Sequence, residues 1–387
     1  MENFEFYNPV KICFGKGEIA KLSRLVPREE KILVTYGGGS IKRNGIYDQV
    51  MSALQGFSVE EFSGIEPNPH YETLMKAVER VRQEKIGFLL AVGGGSVIDG
   101  TKFIAAASLW EGSDPWEILA KRYQVNITGA VPIGTVLTLP ATGSEMNGNA
   151  VITKWETRDK LAFNSDLVKP RFSILDPEVV FSLPDIQVAN GIVDAFIHVM
   201  EQYLTYPVNS PIQDRFAESI LVTLLEEGPK VLADRKDYNS AANFMWAATM
   251  ALNELIGTGV PQDWSTHMIG HELTALYGID HGQTLAIILP GVMQIKREDK
   301  KEKILQYAER VLKIKGGTED DRINAAIAKT IEFFESLGIK TKLKDYNVGK
   351  SVIPVVVDRF RQRGIPLGER RDLMPEDVAK ILELRLQ

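Results

Sequence analysis

The stretch Ile86–Ser108, IGFLLAVGGGSVIDGTKFIAAAS, decides the fold. Its first seven residues form a near-continuous apolar run, which suits a strand buried on both faces of a parallel sheet. Gly93-Gly94-Gly95-Ser96 breaks the run, and Val97–Ser108 reads as a helix that starts directly from the turn. A strand that ends in glycines and feeds a helix presents bare backbone N–H groups at the positive end of the helix dipole. Such a turn can hold phosphate, because amides and dipole aim at the anion and no Cβ blocks its approach. The plainer alternative is a tight turn whose glycines serve only a positive φ. The turn is not a GxGxxG fingerprint, since Ile98 stands where the third glycine belongs.

Working outward, the unit recurs. Lys31–Tyr36 (KILVTY) ends in a second Gly-Gly-Gly-Ser turn, the helix-patterned Tyr71–Gln83 lies between the two, and Val131–Leu139 (VPIGTVLTL) closes on the turn Pro140–Ser144. This alternation predicts a doubly wound parallel sheet, and a repeated glycine turn favours a bound dinucleotide. In such folds an acid just beyond a strand grips the ribose hydroxyls and repels a 2′-phosphate. Here no acid follows Tyr36 until Asp48, while Ser40, Lys42 and Arg43 offer a hydroxyl and two cations. That favours NADP(H) over NAD(H), although Lys42 and Arg43 are also what a solvated helix carries.

From Pro184 onward the pattern becomes helical, as in Ile192–Tyr203, Asp214–Glu227, Ser240–Leu255 and Arg322–Leu337. The expected division is an α/β domain, 1–183, and an all-α domain, 184–387. The chain has five histidines, and four of them (His198, His267, His271 and His281) fall in the early part of the helical half. Asp194 and His198 are four residues apart, as are His267 and His271, so each pair shares a helix face. Neutral imidazoles with a carboxylate suit a borderline divalent cation, Zn²⁺ or Fe²⁺. Five candidates exceed the four needed, and His271, one turn beyond His267, suits a supporting or proton-handling role. A zinc-protease reading fails, because Glu272 follows the second histidine and neither HExxH nor HxxEH is present.

The 45 basic residues against 51 acidic ones, net charge −6, lack the field that nucleic-acid binding needs. No apolar run approaches the roughly 18 residues of a membrane span. One cysteine, Cys13, and a start without a signal-like apolar region lead to the expectation of a cytoplasmic protein.

Together these residues resemble the iron-containing (group III) alcohol dehydrogenase family. GGGSVIDGTKFIA (Gly93–Ala105) is similar to its GGGSxxDxxK motif, and TLPATGSEMNGNAVIT (Thr138–Thr153) to its second signature segment. Asp194, His198, His267 and His281 match its Asp-x₃-His…His-x₁₃-His set, and NPVKICFGKG (Asn8–Gly17) resembles its first strand. YGGGSIKRNGIYDQV (Tyr36–Val50) and GIEPNP (Gly64–Pro69) look most like the NADPH-dependent aldehyde reductase or butanol dehydrogenase branch, with Gly39 where NAD-preferring relatives carry Asp.

The resemblance implies an N-terminal dinucleotide-binding sheet domain and a C-terminal helical metal-binding domain, the architecture shared with dehydroquinate synthase. It implies a homodimer with N-terminal strands paired between subunits, and a small alcohol or aldehyde substrate. Carried over by position, Gly38, Gly39 and Ser40 would contact the adenosine end, and Asn68, Gly94, Gly95, Ser96 and Asp99 the pyrophosphate. Thr138, Thr142, Asn147 and Lys160 would line the nicotinamide half. Asp194, His198, His267 and His281 would hold the metal, leaving His271 as the proton-relay candidate. Two rivals are a dehydroquinate synthase- or glycerol dehydrogenase-like enzyme and a non-catalytic nucleotide-binding protein. The synthase's anionic substrate would call for cations near the metal, and the segments 191–206 and 259–289 contain no Lys or Arg.

Overall fold

The computed structural model describes residues 1–121 and 124–387. Among the described residues there are eight strands: β1 (Lys11–Phe14), β2 (Ile32–Thr35), β3 (Val59–Phe62), β4 (Phe88–Gly93), β5 (Ile133–Leu137), β6 (Asn149–Lys154), β7 (Asp159–Asn164) and β8 (Phe172–Leu175). Six of them form one sheet in the order β1-β8-β5-β4-β2-β3, with every pairing parallel, while β6 and β7 make a separate antiparallel hairpin. β2, β4, β5 and β8 are buried at every position, which explains their mainly apolar character, with Thr35, Thr135 and Ser173 as the buried polar exceptions. Helices α1 (Ile46–Ala53), α2 (Tyr71–Glu84) and α3 (Gly95–Ser108) belong to the same half of the chain.

The chain leaves β2 for β3 at one edge, then returns to place β4 on the other side of β2. Ligands of open α/β sheets bind at the strand carboxyl ends where the order reverses in this way. Thr35 lies opposite Ala91, so the two glycine turns leave adjacent strands side by side.

The remaining long helices are α4 (Asp185–Tyr203), α5 (Pro211–Ala233), α6 (Tyr238–Ala251), α7 (Ser265–Tyr277), α8 (His281–Ile295), α9 (Lys301–Arg310), α10 (Glu319–Ser336), α11 (Val352–Arg363) and α12 (Pro375–Leu384). One compact unit comprises Tyr7–Leu183 with Arg235–Thr249, and the other Pro184–Asp234 and Met250–Gln387 with Met1–Phe6. Two segments are thus exchanged relative to a single cut after Leu183. Within the sheet unit, Trp246 meets Phe14 edge-on at 5.8 Å and Thr249 Oγ1 donates to Glu145 Oε1 at 2.6 Å. Within the helical unit, Glu2 N donates to Gly259 O at 3.0 Å.

In the helical unit, α7, α8, α11 and α12 bury one core that includes Ile269, Leu273, Ile288, Val356, Phe360 and Ile381. Helix α8 also approaches α4 closely: a Cβ on Gly282 would lie 2.6 Å from Asn190 O. That contact requires glycine directly after His281 and brings the start of α8 against the helix that carries Asp194.

Candidate active site

In the sheet unit, the loops after β2, β3 and β4 converge. A Cβ on Gly37 would stand 3.1 Å from Ile65 O and 3.8 Å from Val97 Cγ2, and Asn68 N donates to Ser96 Oγ at 3.2 Å. The glycines of the two turns serve different ends. Gly39 has φ +89° and caps the one-turn helix Ser40–Arg43, as a left-handed turn demands. Gly93, Gly94 and Gly95 do not have positive φ, so that explanation is corrected for them. They are glycines because of crowding: added Cβ atoms would lie 2.5 Å from Val97 Cβ, 3.0 Å from Leu139 Cβ and 2.4 Å from Thr142 Cγ2, respectively.

Several sequence-predicted contacts gather here. Thr142 abuts Gly95 at the start of α3, Thr138 N donates to Gly93 O at 3.0 Å, and Lys160 Nζ donates to Asn68 Oδ1 at 2.8 Å. Asp99 and Asn147 have structural duties in the same place. Asp99 accepts from Ser144 Oγ at 2.5 Å and from Val151 N at 2.9 Å. Fully buried Lys102 donates to Ser144 Oγ, Asn147 Oδ1 and Asn149 O at 2.8, 3.1 and 2.7 Å. Asn147 in turn donates to Gly143 O at 2.9 Å. These bonds bolt residues 142–151 onto α3 beside the glycine turn.

No acid follows Tyr36 along the chain until Asp48, but the fold brings one to the first turn from another strand. Glu61 of β3 accepts from Tyr36 Oη and Tyr47 Oη, each at 2.7 Å, and Lys42 Nζ lies 3.7 Å from it and 4.5 Å from the Tyr47 ring centre. Burial works against the charged form of Glu61, but the two hydroxyls and Lys42 hold its carboxyl below the ordinary range. The strand Val-Glu-Glu-Phe carries no apolar run, so nothing in the local pattern marked Glu61 as a neighbour of Lys42.

In the helical unit, Asp194 Oδ1 is a point of convergence. His198 Nδ1 and His267 Nε2 lie 3.6 Å from it and His281 Nε2 3.7 Å. These separations are too long for hydrogen bonds. They suit donors around one cation, because ligand distances of about 2.1 Å put tetrahedral donors roughly 3.4 Å apart. Asp194 Oδ1, His198 Nδ1 and His267 Nε2 are also buried without a hydrogen-bond partner among the described residues. Asp194, His267 and His281 form a group with donor atoms within 4.8 Å of one another, and His198 joins it through Asp194, its ring stacked on His267 at 4.6 Å. The residues therefore fit a divalent cation of the Zn²⁺ or Fe²⁺ type.

Burial favours a neutral Asp194, yet the imidazoles around it hold its carboxyl well below the usual carboxylate range. Burial pushes His198 down to about 4, so it is a neutral imidazole with a lone pair to give. His267 also loses solvation, but the Glu201 and Asp194 carboxylates hold it up at about 9. Glu201 was absent from the sequence-predicted set. Its Oε2 pairs with His267 Nδ1, which leaves Nε2 facing Asp194, and its Oε1 accepts from Thr266 N at 2.6 Å. The spacing Asp194, His198, Glu201 follows the helical period, so the signal was there. His271 lies outside the convergence, its ring 5.1 Å from that of His281.

The family model described as iron-containing alcohol dehydrogenase matches residues 9–177, and the C-terminal model of the same family matches 188–386. The chain is 56% identical over 385 residues to the NADPH-dependent aldehyde reductase YqhD of Escherichia coli, covering 99% of both chains. It is 42% identical to a probable NADH-dependent butanol dehydrogenase of Bacillus subtilis, covering 100% of each. Among solved structures, the crystal structure of Escherichia coli YqhD superposes with a TM-score of 0.98 at 55% identity, covering 99% of both chains. The NADH-dependent butanol dehydrogenase A of Thermotoga maritima superposes with a TM-score of 0.95 at 37% identity, covering 100% of this chain and 99% of that one. With both halves matched and the metal-compatible cluster in place, the chain belongs to the iron-containing alcohol dehydrogenase family.

Proposed function

We infer that the protein is an NADP(H)-dependent aldehyde reductase and alcohol dehydrogenase, moving a hydride reversibly between the cofactor and a small aldehyde–alcohol pair. The observation that carries this is the convergence of three imidazole nitrogens on Asp194 Oδ1 at 3.6–3.7 Å in a chain of this family. Asp194, His198, His267 and His281 would hold the cation, with Glu201 fixing the His267 tautomer. When bound, the cation supplies Lewis acidity to the substrate oxygen, and the nicotinamide supplies or accepts the hydride.

The protein's own groups do the rest. The crowded Gly93–Gly95 turn leaves amides open to a pyrophosphate, with Ser96 beside it. Gly38, Gly39 and Ser40 accommodate the adenosine ribose, and Lys42, two residues on, is the cation that a 2′-phosphate would draw from its pairing with Glu61. Lys102 and Asp99 hold the loop that carries Thr142 and Asn147, so Thr138, Thr142 and Lys160 present a fixed wall. His271, outside the metal-compatible cluster but in ring contact with it, passes a proton to or from the product oxygen through its ring nitrogen.

A homodimer is consistent with β1 as an edge strand of the sheet, ending in exposed Phe14 with exposed Trp246 against it. Among the described residues no helix is long and apolar enough to cross a membrane, and the one cysteine, Cys13, is buried and free, which fits a cytoplasmic setting. The test of function is NADPH oxidation with butanal as substrate, before and after chelation and after reloading with Zn²⁺ or Fe²⁺. Activity that needs the cation and NADPH supports the reading; butanal turnover unaffected by complete metal removal overturns it.

A further inference from the structure

Trp264 stands immediately before α7 with φ +63°, a left-handed conformation that a bulky aromatic residue rarely adopts. Strain of this kind persists where surrounding bonds over-determine it. Here they do: Asp263 N donates to Glu201 O at 2.9 Å, Ser265 N donates to Asp263 Oδ1 at 2.9 Å, and the indole Nε1 donates to Gln262 Oε1 at 2.9 Å. The result aims the indole at the metal-compatible cluster. Its ring centre lies 5.4 Å from that of His267 and 6.2 Å from that of His198, both edge-on.

Among the described residues five aromatic rings touch here, the metal-compatible His198, His267 and His281 with Trp264 and His271 against them. His198, His267 and His271 are buried, whereas Trp264 and His281 keep partial contact with solvent. A carbonyl compound that reaches the cluster must pass groups that touch it and still face outward. His281 is committed to the convergence on Asp194, which leaves Trp264, of these rings, as the outward-facing apolar surface. We propose that Trp264 is the specificity-determining wall for the substrate's carbon chain, limiting its length and branching next to the reacting carbonyl. The inference rests on the aldehyde reductase reading above. A hydrophobic wall discriminates by about 10- to 200-fold per methylene gained or lost, which makes the effect measurable.

The experiment uses the metal-loaded full chain as wild type, Trp264→Phe and Trp264→Gly, the last being at ease with positive φ. Turnover of propanal, hexanal, octanal and benzaldehyde is measured with NADPH, alongside metal content and quenching of intrinsic fluorescence by propanamide and hexanamide. The expected result is a rise of at least about tenfold in the octanal-to-propanal ratio of kcat/KM for Trp264→Gly, a smaller rise for Trp264→Phe, and unchanged NADPH KM. Quenching by the amides should be present in wild type and missing in Trp264→Phe. If wild type turns over aldehydes but neither the ratio nor the quenching moves in the metal-loaded variants, the wall assignment is wrong and the functional reading stands. A variant that loses its metal with unchanged quenching in the other likewise assigns Trp264 to packing alone. A wild type inactive on every aldehyde overturns both.

Discussion

Asp194 is held between opposing demands: burial disfavours its charge, and three imidazoles sustain it. Replacing it by Asn, or His267 by Ala, removes a donor from the cluster and should leave metal content and turnover near zero while the helical circular dichroism persists. His271→Ala should lower kcat and keep a full complement of metal, since His271 lies outside the convergence. Elemental analysis beside steady-state rates separates the cases, and metal loss in His271→Ala would make it a ligand. Gly39 gives a second test at this scale. No heavy atom lies within 4 Å of a Cβ built there, so only its φ of +89° resists substitution. Asp is among the residues that enter the left-handed region most readily. Wild type should favour NADPH over NADH by at least tenfold in kcat/KM, about 1.4 kcal/mol. Gly39→Asp should erase or reverse that preference by repelling the 2′-phosphate. Equal use of both cofactors by wild type would show that this turn does not hold the ribose.

The start of α3 concentrates the element-scale constraints. A Cβ on Gly95 would lie 2.4 Å from Thr142 Cγ2, and Thr142 is held by the loop that Lys102 and Asp99 clamp. Gly95→Ala must therefore shift either the helix start or the loop, an overpacking cost of about 1–3 kcal/mol. The expected outcome is a raised KM for NADPH with metal content unchanged; an unaltered KM would show that the turn adapts freely. β2, β4 and β5 were legible in the sequence because strands buried on both faces must be continuously apolar. β3, β6 and β7 were not, since Val-Glu-Glu-Phe and the polar hairpin sequences carry no such run, and β8, Phe-Ser-Ile-Leu, is too short to stand out. What went unread with them was chemistry: Glu61 beside Lys42 on β3, and the hairpin that sets Lys160 against Asn68. The metal-compatible residues were legible for the opposite reason, since scarce histidines at helical spacing announce themselves without any knowledge of packing. Glu201 obeyed that spacing too, but one glutamate among many carries little signal alone.

At the scale of the whole molecule, the helical unit is joined through Lys300. Its ammonium, almost wholly buried, lies 2.9 Å from Asp263 Oδ2 and 2.7 Å from Glu369 Oε2, and it donates to Leu204 O at 2.7 Å. Leu204 directly follows α4, Asp263 precedes α7, and Glu369 lies between α11 and α12. Lys300→Met keeps the bulk and strands two buried carboxylates, a change that costs about 3–5 kcal/mol. The urea midpoint of the metal-loaded protein should fall accordingly, and an unmoved midpoint would mean that solvent already reaches the network. The order of residues along the chain gives this network a bearing on biosynthesis. Every proposed metal ligand has left the ribosome once His281 emerges, but Lys300 and then Glu369 follow only later. The nascent polypeptide thus displays its histidines well before it can lock the helices that aim them. A stalled translation product ending before Glu369 would present the same imidazoles without the Lys300–Glu369 pair that ties their helices together.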